Sequence, residues 1–135
     1  MPLIIIILAV LLIITALFTI YYWADFYTKG GVRVVNEDWY MKFEKAFPIA
    51  DLWMAACCLL GATGLLTEQT YGSFFSLLAA SSLIFLALMD ITFNIENNLY
   101  RLIATSSQMV LELAINLWGL TLGIVLITYL WPSFI

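Results

Sequence analysis

The chain reads as an all-α integral membrane protein, a four-helix up-and-down bundle with a short interfacial amphipathic helix between spans one and two. Three observations predict this. Of its 135 residues, 64% are hydrophobic and only 10% charged, where a soluble domain has about 25% charged residues. That leaves too little polar surface to cover a water-soluble particle. The apolar residues fall in four runs, each near the roughly 20 residues that a helix needs to cross the hydrocarbon. The connections between the runs carry all five basic residues.

The first span is predicted at about 3–24. It is aliphatic almost throughout and ends on Tyr21, Tyr22 and Trp23, an interfacial aromatic belt. A cleaved signal peptide fits less well, because a basic leading region is missing and the apolar run is too long. Gly30-Gly31 ends this helix. Asn36 then has the chemistry to cap a short helix at about 36–47, with Glu37 and Asp38 in its favourable first turn. Trp39, Tyr40, Phe43 and Phe47 share one face of it, while Lys42, Glu44 and Lys45 fall largely elsewhere. That pattern is an amphipathic helix on the membrane surface.

Pro48 suits the first turn of the second span, about 48–67. The third span, about 73–94, has small residues at its middle, Ala79-Ala80-Ser81-Ser82, where a neighbour can approach closely. The segment from Arg101 to Gln108 continues as surface helix. The fourth span, about 109–131, carries Gly119 and Gly123 as a GxxxG face and reaches its far interface at Trp131-Pro132. The expected organisation is a single transmembrane domain over residues 1–135. Lys29, Arg33, Lys42, Lys45 and Arg101 all lie in the two connections on one side. The positive-inside rule makes the loops at 25–47 and 95–108 cytoplasmic and both termini extracytoplasmic.

The chemistry is concentrated in a polar layer. The stretch MDITFNIENNLY, residues 89–100, holds Asp90, Asn94, Glu96, Asn97 and Asn98; three- and four-residue spacing puts several of these on one helix face. Gln108, Glu112 and Asn116 recur every four residues in the last span. Counting inward from Pro2, Glu68 and Trp131 brings Asp51, Asp90 and Glu112 to one depth, with Asn116 a turn deeper. The expectation is an acidic cup opening to the cytoplasm beneath an apolar outer half. Its candidate ligand-binding residues are Asp51, Asp90, Asn94, Asn97, Gln108, Glu112 and Asn116, with Trp53 and Trp118 to stack on an organic cation. The bland reading is that such groups cap helix ends, pair with Arg101 and the loop lysines, or reach headgroup water. A shift of 65 residues aligns Asp25 with Asp90 and Asp51-Leu52-Trp53 with Asn116-Leu117-Trp118, a faint repeat.

Several functions are excluded or weakened. The net charge of −4 argues against nucleic acid, which needs clustered Lys and Arg. The absence of histidine removes the usual general base and haem ligand, and most zinc or copper sites. Adjacent Cys57 and Cys58 without a CxxC read as two small core side chains. The first functional reading is binding, and passage, of a cation or cationic small molecule. The alternative is a non-catalytic subunit or assembly factor that packs against another membrane protein or a second copy. A third is a lipid-modifying enzyme with a metal held by Asp51, Asp90 and Glu112. A nucleophile–base pair and a basic phosphate clamp are missing, which leans away from catalysis. The cofactor, the metal and the oligomeric state stay unassigned.

Overall fold

A computed structural model describes all 135 residues. The elements are helical throughout: α1 (Leu3–Lys29), α2 (Asp38–Glu44), α3 (Pro48–Leu66), α4 (Thr70–Glu96) and α5 (Ser107–Leu130), with a 3₁₀ turn over Leu99–Ala104 before α5. Four of the helical segments are long and apolar enough to cross a bilayer, so this is a multi-pass membrane protein. Gly30 ends α1 in the left-handed conformation at φ 94°, which costs glycine nothing. Pro48 opens α3, as its missing N–H requires. The hydroxyl of Ser106 caps α5 by accepting from the Met109 N–H at 3.3 Å. Several boundaries differ from expectation: α1 runs on to Lys29 and α2 stops at Glu44. Helix α2 starts only at Asp38, without a side-chain cap from Asn36. The link before α5 is the 3₁₀ turn rather than a continued α-helix.

The long helices pack in chain order: α1 on α3, α3 on α4, and α4 on α5. Small residues set how closely they approach. A Cβ on Gly64 would run into the backbone of Gly72, and one on Gly123 would lie 2.9 Å from the Ala80 carbonyl oxygen. The GxxxG edge of α5 therefore seats on α4, where Gly119 also faces the Leu83 carbonyl. Toward the end that carries both termini, Leu8, Leu12, Cys58, Leu65, Leu83 and Leu126 belong to one apolar core. Cys57 and Cys58 are free thiols within it.

The order of packing has a gap. Helices α1 and α5, first and last in the sequence of contacts, form no seam comparable to the other three. Toward the end that carries the two long connections, that gap widens into a cavity.

Candidate functional site

The cavity has a volume of about 350 Å³ and lies between α1 and α5, with α3 and α4 behind it. Its walls are mostly apolar: Ile14, Phe18, Met54, Leu83, Leu86 and Ile115 among others. Its polar groups come from every helix. Each arrives for a local reason.

Helix α5 supplies Glu112, Asn116 and Trp118. Glu112 is 5% exposed and Asn116 3%. They stand one turn apart on the face turned toward the other helices. Asn116 Nδ2 donates to the Tyr100 hydroxyl at 3.1 Å. Trp118 Nε1 donates across the gap to Thr15 Oγ1 of α1 at 3.0 Å. Helix α4 supplies Asp90 and, one turn later, fully buried Asn94, whose Nδ2 donates to Glu112 Oε1 at 2.8 Å. Asp51, in the first turn of α3, is favoured there by the helix dipole. It accepts from Trp23 Nε1 at 2.7 Å.

Helix α2 supplies the residue that sequence reasoning missed. Phe43 stacks flat on Phe93 of α4, with ring centroids 3.7 Å apart, and Trp39 leans on the same ring at 5.8 Å. This docking turns Tyr40 and Glu44, one helical turn apart, toward the bundle; both are buried. Asp38 and Lys42, also one turn apart, face outward and pair at 3.0 Å. Glu44 therefore leaves the polar face where it was expected beside Lys42 and Lys45. The signal that could have found it is its i, i+4 spacing from Tyr40, offset by two residues from the Asp38–Lys42 pair.

Carboxylate oxygens of Glu44, Asp90 and Glu112 all lie within 4.8 Å of one another. The Tyr40 hydroxyl donates to the second Glu112 oxygen, Oε2, at 3.4 Å, a long bond. The lone ion pair in the molecule is Lys42–Asp38, so no Lys or Arg neutralises the cluster. Arg33 is engaged elsewhere: its Nε donates to the Gly30 carbonyl at 2.6 Å and its guanidinium lies over Phe26. Arg101 is exposed. Asn94 Oδ1 is buried without any hydrogen-bond donor. Clustered carboxylates need a counter-charge, supplied by a cation or by protons. An all-oxygen donor set suits hard divalent ions as well as ammonium groups.

Of the residues singled out from sequence, Asp51, Asp90, Glu112, Asn116 and Trp118 line the cavity, and Asn94 buttresses it from behind Glu112. Three lie elsewhere. Asn97 is exposed and its Nδ2 closes the end of α4 on the Phe93 carbonyl. Gln108 is exposed and accepts the Arg33 N–H at 3.1 Å. Trp53 is 58% exposed and borders a separate shallow groove with Phe85 and Met89. The residues aligned by the 65-residue shift thus divide: Asp51 and Asn116 share the cavity, whereas Trp53 and Trp118 face different spaces.

The site defines a class, a multi-pass membrane protein with a carboxylate-ended cavity inside its bundle. No protein-family model, curated protein or solved structure matches the chain.

Proposed function

We propose that the protein binds a cation or a cationic small molecule in this cavity. The observation that carries the reading is the convergence of Glu44, Asp90 and Glu112 from three different helices, with no basic side chain among them. Carboxylates held together in an apolar surrounding are costly unless a positive charge joins them. The cytoplasm is the side from which this end is reached by the positive-inside rule, since all five basic residues flank it. Transport is the finer possibility, and it requires a second state in which the Leu8–Leu126 core opens.

The test is titration of the purified protein with Mn²⁺ and with n-butylammonium. Saturable binding that is lost in Asp90→Asn and in Glu112→Gln is the expected result. Binding that persists unchanged in both variants overturns the reading. A second reading uses the unpaired edge between α1 and α5: a helix of another membrane protein, or of a second copy, closes it. Recovery of a defined complex in mild detergent supports that; a chain always recovered alone and monomeric rejects it.

A further inference from the structure

We propose that the occupant is an amphipathic primary or secondary amine that enters sideways from the bilayer. Its ammonium group rests at Glu44, Asp90 and Glu112, and its apolar chain lies in the cleft between α1 and α5. This rests on the reading that the carboxylate end holds a positive charge, and adds the ligand's shape, its head-group chemistry and its route.

The shape comes from the cavity. It does not stop at the carboxylates but continues to Ile14 and Gly119. From Glu112 to Gly119 along α5 the helix rises about 10 Å. That length is walled by Phe18, Leu83, Ile115 and similar side chains. A bare metal ion is satisfied by its ligating oxygens and has no use for such a space. A pocket of about 350 Å³ falls within the roughly 300–1,000 Å³ range of small-molecule sites, which are mostly apolar with a few convergent polar groups.

The route comes from the missing seam. Because α1 and α5 do not pack as the other helix pairs do, the cavity opens at the side of the bundle. Phe18, Ala114 and Trp118 line it and are themselves exposed. They lie on helices long and apolar enough to span the membrane. A ligand dissolved in the membrane therefore reaches the cavity without crossing an aqueous vestibule.

The head group comes from the carboxylates. Asn94 is held behind Glu112 through its Nδ2 and does not line the cavity, so a ligand there meets Glu44, Asp90 and Glu112 themselves. An ammonium bearing N–H groups donates charge-assisted hydrogen bonds to these oxygens. A quaternary ammonium has no N–H to donate. The absence of Lys and Arg from the cluster completes the charge complementarity.

The experiment uses the full chain in phosphatidylcholine nanodiscs with radiolabelled n-dodecylamine, and empty discs for background. Mn²⁺ binding is measured in parallel. The expected result is one saturable amine site per chain, abolished in Glu112→Gln. Dodecyltrimethylammonium competes at least about tenfold less well, because the charge-assisted hydrogen bonds are lost. Ala114→Trp, at an exposed position on the mouth, weakens dodecylamine by tenfold or more. Glu112-dependent binding of Mn²⁺ without saturable dodecylamine binding overturns this inference while keeping the cation site. Equal competition by the quaternary amine, or indifference to Ala114→Trp, overturns it too. Binding of neither probe defeats both readings.

Discussion

Glu112→Gln separates the charge of the cluster from its packing. The carboxamide has the shape of the carboxylate and keeps an oxygen to accept from Asn94 Nδ2, now at 2.8 Å from Oε1. What it removes is one formal charge from a group of three whose oxygens lie within 4.8 Å. Two ionised carboxylates at 4.8 Å repel by about 3.5 kcal/mol at an effective dielectric constant of about 20. Relaxation and solvent screening reduce this, so about 1–3 kcal/mol of relief is expected without a cation. With a cation bound the sign reverses. The same charge supplied an attraction of about 3.5 kcal/mol, and its loss weakens binding by more than about a hundredfold. The assay is thermal unfolding in detergent, with and without Mn²⁺ or an alkylamine. The parent gains stability with ligand as mass action requires. The variant is more stable than the parent without ligand and unresponsive to it. Glu112→Leu is the contrast: Asn94 Nδ2 loses its acceptor, at a cost of about 1–3 kcal/mol. A Glu112→Gln protein that is less stable than the parent and still responds to ligand refutes the reasoning.

Glu44→Gln is expected to weaken the same ligand by tenfold or more, whereas Lys42→Ala, two residues away on the outward face, leaves binding unchanged; titration of both variants tests the inward turn of α2. Gly72→Ala pushes a methyl group into the Gly64–Leu65 backbone and should destabilise the α3–α4 hairpin by about 1–3 kcal/mol in SDS titration. Ser106→Ala removes the one side-chain cap on a spanning helix and should cost about 1 kcal/mol in the same measurement without changing ligand affinity.

Run length and period made the bundle legible before any coordinates. Four apolar stretches of spanning length leave little choice of architecture, and Asp90, Glu112 and Asn116 are visible because carboxylates and amides recur on helical spacing at one depth. What was hidden depends on contacts between distant segments. Glu44 turns inward because Phe43 finds Phe93, fifty residues away in the chain. Nothing within the seven residues of α2 specifies that partner. Asn97 and Gln108 sit at the right depth but are exposed, and their amides are taken up by the Phe93 carbonyl and the Arg33 N–H, contacts that depth counting cannot show. Trp53 and Trp118 share the local pattern of a polar residue two positions before a tryptophan, yet the rotation of each helix sends one to the outer surface and the other to the cavity. The open side between α1 and α5 is a property of a helix pair and leaves no mark in either sequence alone.

The open side and the polar layer are one physical fact. In the half that carries the termini, Gly64, Gly72, Ala80 and Gly123 let backbones approach, and leucines fill what remains. In the other half the packing is by large rings. Trp23, Phe26 and Phe47 form one cluster there, and Tyr40 joins Leu99 and Met109 in another. Such rings hold helices further apart than glycine does. Bringing α1 against α5 at that level would press four carboxyl groups, those of Asp51 and the Glu44–Asp90–Glu112 cluster, into a space without water or counter-charge. The effective penalty is several kcal/mol for each ion that stays charged. Leaving the pair apart avoids that cost and creates the cavity in the same step. A positive ligand shifts the balance, since it neutralises the carboxylates that closure would otherwise strip of water. Closure of α1 toward α5 on binding is therefore the motion that this arrangement favours.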